Sequence, residues 1–101
     1  MATKRDLQNY VNELNKKYCK NTKNELVIHQ AYGGYSVELT GKTYKHGNRT
    51  YWRKGSIGSG CASVGNDYHD TATNTLNALY KADSRGWVKS TIRNHENRKR
   101  Y

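Results

Sequence analysis

The chain has 101 residues, enough for one compact domain but not for a second hydrophobic core. Its formal net charge is +10, and its 14 Leu, Ile and Val residues with no Phe leave nine Tyr and two Trp to supply much of the apolar surface. It offers neither a membrane helix nor a signal-peptide segment after Met1, and its two distant cysteines exclude a disulfide scaffold. We therefore expect a cytoplasmic protein with a thin core and no membrane partner.

The N-terminal segment has the pattern of a capped amphipathic helix. Thr3 and Asp6 match a capping box, and apolar residues recur at helical spacing from Leu7 to Tyr18. We predict a first helix that ends before the turn-forming segment 21–24.

Two strands are predicted on either side of Gly33-Gly34. Apolar and polar residues alternate on both sides of this dipeptide, which is typical of a two-residue hairpin turn. That turn would pair Ile28 with Leu39 on the core face and His29 with Glu38 on the opposite face.

A second tight turn is predicted at Gly47-Asn48, so that the second strand continues into a three-stranded meander. The resulting register sets Thr43 opposite Trp52 and Tyr44 opposite Tyr51. We expect Trp52 to face the core and the two tyrosines to face solvent.

The rest of the chain suggests a small-residue strand and further helices. Segment 55–65 is rich in Gly and Ser, which suits a bulged strand that another backbone approaches closely, although its register stays open. Asp67 and Asp70 are candidate N-caps for a helix that ends at Gly86. Residues 87–92 are compatible with a short last helix.

These elements predict an α+β fold with the order α-β-β-β-α. We expect an antiparallel sheet of three or four strands, with helices packed on one face and the other face open. Residues 1–92 would form the single domain and residues 93–101 a basic C-terminal tail.

The positive charge is concentrated in two blocks. Residues 41–55 hold five Lys and Arg and no acid, and residues 85–101 hold six against Glu96 alone. A localised positive field attracts polyanions, among which nucleic acid is the commonest partner of a basic protein. A solvated surface with a frayed end is the alternative interpretation.

The outer face of the second hairpin interleaves cations with aromatic rings, so that unpaired bases could stack there while cations track phosphates. The same residues could merely stabilise an exposed hairpin and keep it in solution. The candidate nucleic-acid-binding residues are Lys42, Tyr44, Arg49, Tyr51, Arg53 and Lys54 on the hairpin, and Arg93, Arg98, Lys99 and Arg100 in the tail.

Two other patterns are weaker candidates. Segment 55–60 resembles a phosphate-binding loop only in its glycines, because it lacks the Gly-Lys-Ser/Thr ending. Asp67, His69 and Asp70, with His29 and Glu38, could serve a metal-dependent nuclease, but their spacing matches no metal-ligand geometry, and helix capping is an adequate explanation of the two aspartates. We therefore predict no catalytic residue, metal site or cofactor.

The predicted order of a helix, a three-stranded meander and a helix resembles the double-stranded-RNA-binding domain. That family opens its last helix with phosphate-binding lysines, whereas segment 65–71 is acidic here. Residues 60–80 are similar to segments of small bacteriophage and mobile-element proteins. This similarity implies an accessory role during infection or transfer, including counter-defence against a nuclease-based immune system.

The leading hypothesis is a small non-catalytic protein, of phage or mobile-element origin, that binds single-stranded or structured nucleic acid with little base reading. The alternative is an anti-CRISPR-like inhibitor that binds a host nucleoprotein defence complex, and a nuclease is the third. The sequence leaves open RNA or DNA, the host target and the oligomeric state.

Overall fold

The computed structural model describes residues 1–57 and 62–97, with the backbone alone at residues 62 and 65–68. The elements in chain order are helix α1 (Lys4–Leu14), a π-helical turn (Asn15–Cys19), strands β1 (Asn24–Ala31), β2 (Gly34–Gly41), β3 (Thr43–His46), β4 (Arg49–Trp52) and β5 (Ala62–His69), and helices α2 (Ala72–Ser84) and α3 (Trp87–Asn97). The predicted α+β fold is confirmed. No helix in the described ranges is long and apolar enough to cross a membrane.

Helix α1 begins where the capping box predicts. The Thr3 hydroxyl accepts a hydrogen bond from the Asp6 backbone N–H, and the Asp6 carboxylate accepts one from the Thr3 backbone N–H. These hydrogen bonds hold the pKa of Asp6 below its ordinary value. Helical spacing places Leu7, Val11 and Leu14 on one buried face, which packs into the core.

Strands β1 and β2 form the predicted hairpin, but the predicted register is wrong. The turn residues are Tyr32 and Gly33, both with positive φ (54° and 72°), so that Ile28 pairs with Val37 rather than with Leu39. Two positive φ values are typical of a type I′ turn, which matches the twist of a hairpin. The shift of two residues preserves the side-chain alternation, and the core face is the predicted one.

The main sheet has the order β1-β2-β5, and β3 and β4 form a separate two-stranded sheet. The predicted continuous meander is therefore wrong. Ala62–Val64 of β5 pairs with β2 between Val37 and Leu39, and so occupies the edge that a third meander strand would need. The pairing shifts register between Tyr35 and Val37, so that the irregularity falls between Val64 and His69 of β5, mostly beyond the segment 55–65 for which a bulged strand is predicted.

Two glycines of β2 show how closely other backbone approaches this strand. A Cβ atom at Gly34 would lie 2.3 Å from the His69 carbonyl oxygen, and one at Gly41 would lie 2.0 Å from the Ile57 carbonyl oxygen. No side chain fits at such distances. The backbone crossing at Gly41 also marks the point where the chain leaves the sheet and the hairpin of β3 and β4 begins.

Helix α2 starts later than predicted. Its N-cap is Thr71, whose hydroxyl accepts a hydrogen bond from the Asn74 backbone N–H at 3.0 Å, while Asp70 accepts one from the Asn74 side chain. Asp67 lies within β5 and is not a cap. The helix ends before Gly86, which has a φ of +76° as a C-terminal glycine requires.

Helix α3 is longer than predicted. It runs to Asn97, so that residues 93–97 of the predicted tail continue the helix, and residues 98–101 lie outside the described residues. Val88 and Ile92 are buried one turn apart and anchor it to the domain.

One hydrophobic core lies between the helices and one face of the main sheet. It combines buried residues of α1, β1, β2, β5, α2 and α3, with Leu26, Leu39 and Leu79 among the largest. On its rim, the Asp83 carboxylate of α2 accepts hydrogen bonds from the hydroxyls of Tyr10 (3.2 Å) and Tyr18 (2.7 Å). These hydroxyls join α2 to α1 and to the π-helical turn. The rings of Tyr10 and Tyr18 also pack against the core and add apolar area where aliphatic side chains are few.

Candidate nucleic-acid interface

The candidate interface is the hairpin formed by β3 and β4. Its pairing is as predicted, with Thr43 opposite Trp52 and Tyr44 opposite Tyr51. Gly47, with a φ of +65°, occupies the turn. All eight strand residues are exposed, and the hairpin makes little contact with the other described elements. It is an arm attached to the domain at its base.

The base of the arm is fixed by the backbone. The Arg53 N–H donates to the Lys42 carbonyl oxygen at 2.9 Å, and the Lys42 N–H donates to the Lys23 carbonyl oxygen at 2.8 Å. The Ser56 N–H and hydroxyl both donate to the Arg53 carbonyl oxygen, which closes a turn directly after the arm. The two chain segments that enter and leave the arm are therefore held together.

The ring pair on one face of the arm is well defined. The rings of Tyr44 and Tyr51 stack across the two strands with centroids 5.6 Å apart and an interplanar angle of 25°. Their side chains remain 46% and 39% exposed. The prediction that both rings face solvent is confirmed, and each ring keeps one face that the other does not cover.

The prediction that Trp52 is buried is wrong. Trp52 lies on the opposite face of the arm and is 46% exposed. Because β5 fills the sheet edge beside β2, the arm is not part of the main sheet and neither of its faces meets the core. The sequence held a signal for this outcome, since no aliphatic residue occurs between Leu39 and Ile57 to accompany a buried indole.

Cations lie on both faces of the arm. Arg49 and Arg53 share the face of the tyrosines, whereas Lys45 shares the face of Trp52, and Lys54 follows β4. All four are exposed, and none of them forms an ion pair within residues 1–57 and 62–97. Lys45 is not among the predicted contact residues, because only one face of the hairpin was expected to be exposed.

Lys42 differs from the other predicted cations. Its Nζ donates a hydrogen bond to the Cys19 carbonyl oxygen at 2.9 Å, at the end of the π-helical turn, and the side chain is half-buried. A lysine at this position neutralises the negative end of a helix. The structure thus uses Lys42 to hold the base of the arm and does not place its amine beside the tyrosines.

The end of α3, within the second block of positive charge, lies next to the same base. Glu96, near the end of α3, accepts hydrogen bonds from the Lys23 backbone N–H at 3.2 Å and from the Asn24 side chain. The Lys23 carbonyl oxygen in turn accepts the hydrogen bond from the Lys42 backbone N–H. The predicted contact residue Arg93 is exposed one turn earlier on α3, and Arg98, Lys99 and Arg100 lie outside the described residues.

The weaker candidate sites gain little from the structure. The Asp70 carboxylate is engaged by the side chain of Asn74, and His29 Nδ1 lies 3.2 Å from Glu38 Oε2. In the part of the chain that the structure describes, no three His, Cys, Asp or Glu side chains are grouped to hold a metal ion. The Asp67 side chain and residues 58–60 of the glycine-rich segment lie outside the described positions.

Comparison with known protein families, with characterised proteins and with solved structures finds no match for this chain. The interpretation of the arm therefore rests on its own geometry and charge.

Proposed function

We propose that this protein is a small, non-catalytic nucleic-acid-binding protein and that the hairpin of β3 and β4 is its main contact surface. The observation that carries the proposal is an exposed arm that presents two stacked tyrosines, a tryptophan and four cations without ion pairs among the described residues. No carboxylate occurs in the sequence between Glu38 and Asp67 to oppose a polyanion.

The cations account for affinity. Four Lys and Arg side chains on a narrow arm produce a local positive field, and each phosphate that they neutralise releases condensed counterions. Binding to a single strand should then fall with salt at a log–log slope of roughly −3, since each contact contributes about 0.7. Phosphate contacts carry no sequence information, so little discrimination between sequences is expected.

The rings account for a preference for unpaired bases. The stacked rings of Tyr44 and Tyr51 both remain partly exposed, and Trp52 offers a third exposed ring on the other side of the arm. Stacking of a base on such a ring contributes about 1–3 kcal/mol and tolerates any base. Bases in a duplex are already stacked on one another, so that single strands, loops and ends are the favoured targets.

A second candidate function draws on the same aromatic residues. Trp, Tyr and Arg are the residues that dominate the binding energy of protein–protein interfaces, and the arm exposes all three types. The protein could therefore act as an inhibitor that binds a host nucleoprotein defence complex through the rings of this arm. Binding of this kind depends on one protein partner and tolerates salt.

The test is a titration of fluorescently labelled single- and double-stranded DNA and RNA with the purified protein at several salt concentrations. The proposal predicts measurable binding to single strands that weakens steeply with salt. Absence of binding to every oligonucleotide at low salt would contradict it. Salt-tolerant, stoichiometric binding to a nuclease complex without affinity for free nucleic acid would instead support the inhibitor.

A further inference from the structure

A pocket of about 360 Å³ lies between the end of β5, one face of α2 and the start of α3. Its walls include His69, Asn77, Lys81, Arg85 and Trp87, and it shares no residue with the arm. The volume falls in the range of roughly 300–1,000 Å³ that small-molecule sites occupy. Neither proposed function uses this pocket.

One wall of the pocket is aromatic. Trp87 is the first residue of α3 and its side chain is 43% exposed. No stacking between its indole and another aromatic ring is found among the described residues. A half-exposed indole at the wall of a concave site is a surface on which a planar heterocycle can stack.

The wall formed by α2 changes from neutral to cationic along the helix. Asn77, Lys81 and Arg85 lie four residues apart, so that they follow one helix face, with Lys81 about 6 Å and Arg85 about 12 Å beyond Asn77 along the axis. Asn74 also lines the pocket, and its side-chain amide donates a hydrogen bond of 2.9 Å to the Asp70 carboxylate. Asn77 is exposed on the wall of the pocket, and its amide can both donate and accept.

This arrangement matches the three parts of a nucleotide. We propose that the pocket binds a nucleoside 5′-monophosphate unit, with the base on Trp87, its polar edge at Asn77 and the phosphate between Lys81 and Arg85. The unit could be a free nucleotide or the phosphorylated 5′ end of a strand, which share this chemistry. The proposal does not depend on binding by the arm.

The two tryptophans of the chain allow a selective measurement, because each reports on one site. In a Trp52→Phe protein the indole emission comes from Trp87 alone, and titration with AMP, GMP, CMP and UMP should change it saturably. In the Trp87→Phe protein the remaining Trp52 reports on the arm alone, and Lys81→Ala and Arg85→Ala should leave its response unchanged. A DNA oligonucleotide with a 5′-phosphate, compared with the same strand bearing a 5′-hydroxyl, tests the second source.

Exposed residues of the pocket supply variants that leave the core intact. In the Trp52→Phe background, Lys81→Ala and Arg85→Ala should each raise the dissociation constant about tenfold, as expected for one charge-assisted hydrogen bond. Lys20→Ala, an exposed lysine outside the pocket, should leave it unchanged. A response to the phosphorylated strand alone would assign the pocket to strand ends.

Two results would overturn the proposal. One is the absence of a saturable Trp87 response to all four nucleotides and to the phosphorylated strand at millimolar concentration. The other is displacement of the nucleotides by inorganic phosphate with equal affinity, because the pocket would then bind an anion and not a base.

Discussion

The side-chain amide of Asn24 donates a hydrogen bond to the carboxylate of Glu96, which joins the first residue of β1 to the end of α3. The other end of the same amide accepts a hydrogen bond from the Ile57 backbone N–H at 2.9 Å. A single buried side chain thus connects the segment that follows the arm with the helix that leads into the basic C-terminal segment.

The first prediction concerns this connection. Asn24→Ala leaves the Ile57 N–H without its partner in a buried site, and should lower the free energy of unfolding by about 1–3 kcal/mol. Urea denaturation measures the change, with the exposed Asn12→Ala as a control. A loss below the experimental error would show that Asn24 does not hold these segments together.

The position of Trp52 outside the core leads to a second prediction. Trp52→Ala should change the free energy of unfolding by less than about 1 kcal/mol, because a half-exposed side chain on the arm leaves no core cavity. Leu39→Ala, in contrast, removes a fully buried side chain and should cost about 2–5 kcal/mol. Equal losses for the two variants would place Trp52 in the core after all.

Tyr10 leads to a prediction about alkaline pH. Burial of its side chain, with the charge of Asp83, raises the pKa of Tyr10 above its ordinary value of 10.0. The folded state therefore holds this proton more tightly than the unfolded state does, and the associated stability is fully present below pH 10 and declines as the pH rises through the folded-state pKa. Tyr10→Phe should reduce this decline.

The decline is measured by thermal unfolding between about pH 9 and pH 12. This interval starts below the ordinary phenol pKa of roughly 10 and extends above it. Tyr32→Phe is the matched control, because this tyrosine is 91% exposed at the turn between β1 and β2. Identical pH profiles for Tyr10→Phe and the unaltered protein would exclude Tyr10 as the source.

Two residues of the arm should affect binding in different ways. Tyr51→Ala should weaken single-strand binding by the stacking energy of one base, about 1–3 kcal/mol, with little change in the salt dependence. Arg53→Ala should make the log–log salt slope shallower by about 0.7, since one phosphate contact is lost. Fluorescence anisotropy at several salt concentrations measures both quantities.

The controls for these variants lie elsewhere on the surface. Arg5→Ala removes an exposed arginine of α1, and Tyr32→Asn removes an exposed ring at the other end of β2 while keeping a residue that tolerates positive φ. Neither should alter binding as strongly as its counterpart on the arm. If Tyr51→Ala mainly unfolds the protein, the ring is structural and the proposed surface is wrong.

Local chemistry made several elements predictable. The Thr3 and Asp6 capping box marks the start of α1, and the Gly47-Asn48 turn fixes the pairing of Tyr44 with Tyr51. In both cases the deciding interactions span only a few residues. The sequence predicts the first hairpin turn at Gly33-Gly34, whereas the structure has it at Tyr32-Gly33. The difference could not be predicted, because a tyrosine with positive φ is uncommon and no neighbouring residue indicates it.

Long-range packing decided what the sequence did not reveal. The insertion of β5 beside β2 excludes the arm from the main sheet. Trp52 and Lys45 are therefore both exposed on a second open face of the arm. The hydrogen bond from Lys42 to the Cys19 carbonyl oxygen joins residues 23 positions apart. The pocket beside Trp87 likewise depends on how α2 and α3 meet.

The most direct test of the account removes the arm and keeps the domain. Replacement of residues 43–52 by Asn-Gly would let Lys42 and Arg53, already hydrogen-bonded at 2.9 Å, flank a tight turn. The measurement is the affinity of this variant for a labelled single strand at low salt, after circular dichroism has shown that its helices are retained. We predict a loss of at least about tenfold in affinity. Unchanged affinity in a folded variant would contradict the assignment of the arm as the nucleic-acid interface.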